Sequence, residues 1–189
     1  MIRAFIAVEL PEALRQEVAA VQSDLEKSDA DVKWVEPANL HLTLKFPGDI
    51  EEMKAVALQE ALGSAVRGVA AFSIELEGLG AFPRLEHPRV LWVGIRSGHE
   101  QLIELASRVE KICAELGFPK EERSFSPHLT IGRVRSGNGL SSLIKKMESI
   151  SFRASAPAPI DHLTLFQSTL SPTGPIYTPL AQIPFRGDR

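Results

Sequence analysis

Apolar residues in this chain follow two spacings, one typical of strands and one typical of helices. Residues 2–9 form an apolar run rich in Ile, Phe, Ala and Val, which predicts a buried strand. Pro11 suits the first turn of a helix, and apolar residues recur at helical spacing from Leu14 to Leu25. Further helices are predicted over residues 51–67, around Cys113 as far as Gly117, and over residues 140–147.

The clearest strand pattern covers residues 40–46, where apolar and polar side chains alternate. This alternation predicts an inward face of Leu40, Leu42, Leu44 and Phe46, and an opposite face of His41, Thr43 and Lys45. Pro47-Gly48-Asp49 is expected to end the strand. Other strands are predicted over residues 32–35, 72–79, 89–95, 126–134, 150–155, 160–167 and 176–185, with Arg84 in a loop between two of them.

The order of these elements predicts an α+β fold. Each of two histidine-bearing strands, one near residue 41 and one near residue 128, is followed by a turn, a helix and another strand. We therefore expect two pseudo-symmetric lobes, each an antiparallel sheet with helices on its outer face, around a central cleft. No clear linker separates the lobes, so residues 1–189 are predicted to form a single bilobal domain.

Composition restricts the classes of function. The chain has 189 residues, 44% of them hydrophobic, and a net charge of −3. This charge argues against broad, non-specific nucleic-acid binding but allows a local basic cleft. Cys113 is the only cysteine, which excludes an intramolecular disulfide, and its helical spacing predicts a core position. The N-terminal stretch lacks signal-peptide features and no run reaches membrane-spanning length, so a cytoplasmic protein is expected.

The candidate chemistry lies in a repeated tripeptide. His41-Leu42-Thr43 and His128-Leu129-Thr130 occur half a chain apart in strand-like settings. Each places a histidine and a threonine on one face of a strand, with the leucine on the other. A histidine can give or take a proton near neutral pH, and a hydroxyl can hydrogen-bond an anion. Two such strands facing one another would place two proton-transfer groups around one substrate atom.

A third copy, His162-Leu163-Thr164, shows that the letters alone do not identify a site. Asp161 can pair with His162, and we interpret this copy as incidental. His87 and His99 lie in predicted loop and helix-start positions without evident partners. Catalytic zinc takes three or four suitable ligands, whereas each tripeptide supplies one histidine and a poorly ligating threonine. We therefore expect metal-free chemistry and no cofactor.

The wider motifs resemble a known family. Residues 34–46 and 126–133 are similar to the two motifs of the two-histidine (2H) phosphoesterases. Within them the chain looks most like the LigT-like RNA 2′,3′-cyclic phosphodiesterases, historically called 2′-5′ RNA ligases. The opening residues 3–8 and residues 165–168 also resemble that family. Pro47 departs from the pattern, because the family more often has leucine there.

The resemblance implies roles for particular residues. It makes His41 the proton donor and His128 the proton acceptor, whereas the residues alone do not distinguish the two roles. Thr43 and Thr130 would bind the substrate phosphate, and Arg133 would contact the substrate. Strict alternation places Arg133 on the face opposite His128, so Arg133 reaches the cleft only if the strand ends, twists or bulges there.

The expected reaction is hydrolysis of RNA 2′,3′-cyclic phosphate ends to 2′-phosphomonoesters. Weak, reversible 2′-5′ ligation is expected from the same site by microscopic reversibility. The expected partner is therefore RNA, with tRNA halves as one candidate source, and a monomer is expected. Two alternatives stay open: a phosphodiesterase for a small cyclic nucleotide or nucleotide-derived cyclic phosphate, and a non-catalytic module that binds RNA ends.

Overall fold

A computed structural model of the chain describes residues 1–187. It contains nine strands and four α-helices within those residues. In chain order they are β1 (Ile2–Glu9), α1 (Glu12–Glu26), β2 (Val32–Trp34), β3 (His41–Ile50), α2 (Glu52–Ala65), β4 (Phe72–Arg84), β5 (His87–Ser97), α3 (His99–Glu115), β6 (Leu129–Val134), α4 (Leu140–Ser149), β7 (Ala158–Ile160), β8 (His162–Ser171) and β9 (Gly174–Pro184). A 3₁₀ turn, Pro37–Asn39, precedes β3.

The strands form two antiparallel sheets, as the sequence predicted. The first sheet has the order β3-β1-β8-β9, and the second has the order β2-β6-β5-β4-β7. The two halves of the chain interleave, because β2 pairs with β6 and β1 pairs with β8. The first sheet therefore joins the N-terminal and C-terminal ends of the chain, and the lobes are not successive stretches of sequence.

A shared apolar core lies between the sheets and the helices. The predicted stripe of α1 is buried, with Leu14, Val18 and Leu25 at most 5% exposed. Burying each such side chain contributes roughly 1.5–3 kcal/mol. Cys113 is buried in α3, as expected, and desolvation raises the pKa of its thiol to about 11, which keeps it protonated and unreactive.

Several predicted boundaries were wrong. The second histidine strand begins at Leu129 and not at residue 126, and His87 lies in β5 and not in a loop. Pro47-Gly48-Asp49 does not end β3, which continues through these residues to Ile50 with an irregular register against β1. Arg84 lies in β4, opposite His87 in a tight hairpin, because both strands extend further than the apolar run suggested. Residues 150–155 form no strand; Arg153 makes only an isolated bridge to Glu77.

Candidate active site

His41 begins β3 and lies on an aromatic surface of the first sheet. Its ring stacks on Phe5, with centroids 4.8 Å apart, and meets Tyr177 edge-on at 5.1 Å. Phe166 packs against Phe5 at 5.1 Å and lies 5.9 Å from the His41 ring, measured between centroids. We call the face of the first sheet that carries these rings its cleft face. Glu9 in β1 pairs directly opposite His41, so its side chain lies on the same face.

Burial and nearby polar groups shift the pKa of His41 in opposite directions. Desolvation dominates and lowers the pKa of the imidazole to about 4. A hydrogen bond with the backbone of Asn39 and the negative charge of Glu9 both act to raise it. His41 is therefore neutral near pH 7 in the free protein, and an anion bound beside it would raise its pKa.

His128 lies one residue before β6 and contacts a different set of groups. Its ring meets Phe82 edge-on, with centroids 4.8 Å apart. The Nδ1 atom lies 2.7 Å from the carbonyl oxygen of Ser126. Because a carbonyl only accepts, Nδ1 donates, and the proton of the neutral ring is on that nitrogen. The lone pair of Nε2 is then available to accept a proton.

Electrostatics also favour the neutral form of His128. Desolvation lowers the pKa of its imidazole most, the hydrogen bond to Ser126 acts to raise it, and the positive charge of Arg133 lowers it further. His128 thus has a cation as its charged neighbour, whereas His41 has a carboxylate.

A β-bulge brings Arg133 to the same face as Thr130. In the β5–β6 ladder Trp92 pairs with Thr130, but Leu91 pairs with Gly132, so Ile131 is an extra residue. Val90 pairs with Arg133, and Val90 and Trp92 share a face because they lie two residues apart. The parity argument alone, which placed Arg133 opposite His128, omitted this bulge. We call this face the cleft face of the second sheet.

The first sheet has a bulge at the equivalent position. Ala7 pairs with Thr43 and Ile6 pairs with Lys45, which makes Leu44 the extra residue. The prediction for the next two residues was therefore inverted: Lys45 is 3% exposed and faces the core, whereas Phe46 is 56% exposed. Phe46 packs near Phe5 on the cleft face, with centroids 5.8 Å apart.

Each bulge is held by a buried polar side chain. Lys45 contacts Glu110 at 2.9 Å and donates to the carbonyl oxygen of Pro119 at 2.7 Å. At the β6 bulge, Gln22 of α1 donates to the carbonyl oxygen of Ile131 at 2.9 Å and to that of Val35 at 2.8 Å. Sequence reasoning missed Gln22, although a polar residue beside the apolar stripe of α1 was a usable signal.

Tyr177 of the first sheet lies within electrostatic reach of Arg133 of the second sheet. Burial raises the pKa of the Tyr177 hydroxyl, while the guanidinium groups of Arg133 and Arg3 act to lower it. Arg133 therefore lies within electrostatic reach of both Tyr177, which contacts His41, and His128. Of the five residues predicted to form the site, Arg133 links the surroundings of the two histidines. Thr43 and Thr130 are partly exposed on the cleft faces of their sheets.

His162 is closer to the site than its interpretation as incidental suggested. Its Nε2 atom lies 2.9 Å from Glu9 Oε2, the carboxylate opposite His41. Asp161 contacts its other ring nitrogen at 2.6 Å, as the sequence predicted. Glu9 itself was not predicted, and only the β1–β3 register identifies it.

Among residues 1–187, no group of three or more histidine, cysteine or carboxylate side chains is arranged to hold a metal ion. None of the four described helices is long and apolar enough to cross a bilayer.

A known protein family matches each half of the chain separately, in agreement with the duplicated motif. The model of the LigT-like phosphoesterase family matches this chain twice, over residues 8–92 and 93–177. The chain belongs to the LigT-like phosphoesterases. The first match contains the His-x-Thr motif at His41, and the second contains the motif at His128. His162, although in the second match, is a further copy of the tripeptide.

Two curated relatives of this phosphoesterase carry the same name. A Methanothermobacter thermautotrophicus protein named RNA 2′,3′-cyclic phosphodiesterase is 38% identical over 180 residues, which cover 94% of this chain and 95% of the relative. An Archaeoglobus fulgidus protein of the same name is 37% identical, covering 95% of this chain and 98% of the relative.

Solved structures share the architecture across the whole chain. A crystal structure of a Thermus thermophilus protein has a TM-score of 0.80 at 28% identity and covers 100% of both chains. Escherichia coli LigT in complex with 3′-AMP has a TM-score of 0.75 at 26% identity and covers 97% of this chain and 98% of that one. The two-sheet fold is therefore the fold of the family.

Proposed function

We propose that this phosphoesterase hydrolyses RNA 2′,3′-cyclic phosphate ends to 2′-phosphomonoesters, by acid–base catalysis between His41 and His128. The observation that carries the proposal is the duplicated constellation. Each half of the family match supplies one His-x-Thr motif followed by a bulge. The names of the relatives support the substrate. The proposal also takes residues 1–189 to act as one bilobal unit.

The charges beside the two histidines support their roles. Glu9 favours the protonated form of His41, which suits a proton donor. Arg133 favours the neutral form of His128, and its Nδ1 donor bond leaves Nε2 free to accept a proton. In the reaction, His128 takes a proton from water while the water oxygen attacks phosphorus. The bond from phosphorus to the 3′ oxygen breaks, and His41 protonates that oxygen.

The remaining site residues act on the phosphate. Thr43 and Thr130 hydrogen-bond the non-bridging oxygens, on which negative charge grows in the transition state. Arg133 contacts the substrate phosphate, for which its guanidinium is suited. Phe46 extends the cleft face beyond the aromatic cluster, where it can stack on a nucleoside. When the 5′ hydroxyl of a second RNA end attacks phosphorus in place of water, His128 takes the hydroxyl proton and His41 protonates the departing 3′ oxygen, so weak 2′-5′ ligation is part of the proposal.

The setting of the reaction is also proposed. RNA fragments such as tRNA halves are candidate substrates, and the protein acts as a cytoplasmic monomer. Solved structures of Escherichia coli LigT hold 3′-AMP or phosphate as ligands of that protein, which keeps a small cyclic nucleotide as the second candidate substrate.

A turnover experiment on chelator-treated protein tests the proposal. An oligonucleotide with a 2′,3′-cyclic end should be hydrolysed faster than the cyclic mononucleotide, and treatment with a chelator should not reduce the rate. The kcat/KM value should show a bell-shaped pH dependence whose limbs lie below those of ordinary histidines, because burial lowers the pKa of both rings. Binding without turnover would indicate an RNA-end-binding module. Recovery of lost activity by added zinc or magnesium would refute the metal-free reaction.

A further inference from the structure

The carboxylate opposite His41 belongs to a hydrogen-bonded cluster outside the two His-x-Thr motifs. Glu9 Oε2 accepts hydrogen bonds from His162 Nε2 at 2.9 Å, Thr164 Oγ1 at 2.8 Å and Gln182 Nε2 at 3.1 Å. Three donors on one oxygen hold the carboxylate ionised and fixed in position. Partial burial acts to raise the pKa of Glu9, but these hydrogen bonds outweigh it and lower the pKa.

The geometry around His162 identifies its protonation state. Both ring nitrogens contact carboxylate oxygens, Nδ1 to Asp161 at 2.6 Å and Nε2 to Glu9 at 2.9 Å. An ionised carboxylate only accepts, so both nitrogens must donate, which only the protonated imidazole can do. Burial acts to lower the pKa of His162, but the two carboxylates outweigh it and raise the pKa. His162 is thus a cation beside the anion that neighbours His41.

Glu9 and His41 face a common space. They pair across β1 and β3, and both line a cavity of about 150 Å³. Charged and titratable groups approach this end of the cleft from every surrounding element. They are Glu9 and Arg3 of β1, Arg15 of α1, Arg133 of β6, His162 of β8 with Asp161 before it, and Tyr177 of β9. Among these groups Glu9 is the anion placed directly opposite His41.

We propose that Glu9 is a positioning residue whose carboxylate increases the protonated fraction of the buried His41, and that His162 reduces this effect by partly neutralising Glu9. The inference rests on the proposed role of His41 as proton donor. The proposal gives the third tripeptide a function, because His162 and Thr164 of β8 donate hydrogen bonds to Glu9 of the adjacent strand β1. Neither residue needs to touch the substrate.

The two parts of the proposal predict opposite effects. Glu9→Gln keeps the size of the side chain but removes its charge, so the pKa of His41 should fall. One opposite charge at this range commonly changes a pKa by about one unit, which corresponds to about a tenfold loss of kcat/KM near neutral pH. His162→Gln keeps a donor to Glu9 but removes the cation, so the pKa of His41 should rise.

Nuclear magnetic resonance titration of the histidine rings is the direct test. The chain has five histidines, and the absence of one resonance in His41→Asn identifies His41. The titration is measured in the unmodified protein, Glu9→Gln, Glu9→Asp and His162→Gln, with Glu12→Gln as the matched control, because Glu12 is exposed at the start of α1. Glu9→Asp should restore much of the effect because it restores the charge.

Changes of opposite sign in Glu9→Gln and His162→Gln support the proposal, because a purely structural role would not reverse sign. An unchanged His41 titration in folded Glu9→Gln or His162→Gln would overturn it. The titration needs no substrate, so a negative result would overturn the role of Glu9 without touching the proposed function. The proposed function would instead be contradicted by a His41→Ala variant that keeps its activity. His162→Ala should still turn over substrate, unlike His128→Ala, because the His162 side chain contacts Glu9 and not the reacting atoms.

Discussion

The same tripeptide operates in two different electrostatic settings. His41 stacks on Phe5 opposite a carboxylate, whereas His128 meets Phe82 edge-on beside a guanidinium. The strands are equivalent, because each bulges directly after its threonine. The duplication therefore supplies two equivalent histidines with opposite charged neighbours, and in the proposed mechanism this difference favours His41 as the proton donor and His128 as the acceptor.

The largest expected effect comes from removing either histidine. His41→Ala and His128→Ala should each lower the rate of cyclic-phosphate hydrolysis by about 10²–10⁴-fold, because each removes one proton-transfer group. The measurement is single-turnover hydrolysis of a 2′,3′-cyclic oligonucleotide, with circular dichroism as the check that the variants fold. Near-normal turnover in either folded variant would contradict the two-histidine mechanism.

The next largest effect on kcat/KM is expected from replacing Arg133. Arg133→Gln should reduce kcat/KM by about 10–100-fold, the range for losing one charge-assisted hydrogen bond to phosphate. It should also raise the pKa of His128, because the guanidinium favours the neutral ring. Arg133→Lys is the matched control: it should keep the titration of His128 near normal while recovering only part of kcat/KM. If Arg133→Gln left both quantities unchanged, Arg133 would not act in the site.

Smaller effects are expected from Gln22 and Lys45, the buried side chains next to the two bulges, and these effects should differ. Gln22→Leu removes the donor to the Ile131 carbonyl and should lower the free energy of unfolding by about 1–3 kcal/mol. It should also weaken the contribution of Arg133, so a double-mutant cycle with Arg133→Gln should show coupling. Lys45→Met should show no such coupling, because Lys45 anchors the other bulge. Gln16→Leu, at an exposed position of α1, is the control for both. Equal coupling for Gln22 and Lys45 would mean that the bulges are not independent.

The sequence predicted much of the fold and offered most residues of the candidate site, because both depend on local pattern. Helix α1, the antiparallel sheets and the placement of Cys113 follow from the spacing of apolar residues. Register is different, because one extra residue after each threonine reverses every later side chain. Alternation therefore placed Lys45 and Phe46 on the wrong faces and Arg133 opposite His128. Glu9 depends on strand pairing across more than thirty residues, which no local pattern contains.

The assignment of donor and acceptor can be tested with a modified substrate. In a cyclic phosphorothiolate whose bridging 3′ oxygen is replaced by sulfur, the leaving thiolate needs no proton from a general acid, but water must still be activated. The two histidine variants can therefore be compared on the sulfur and oxygen substrates, with the unmodified protein as the reference.

We predict that the sulfur substrate restores most of the rate of His41→Ala and little of the rate of His128→Ala, because only the proton donor becomes dispensable. Recovery of His128→Ala instead would reverse the assignment of the two histidines and contradict the roles attributed to Glu9 and Arg133.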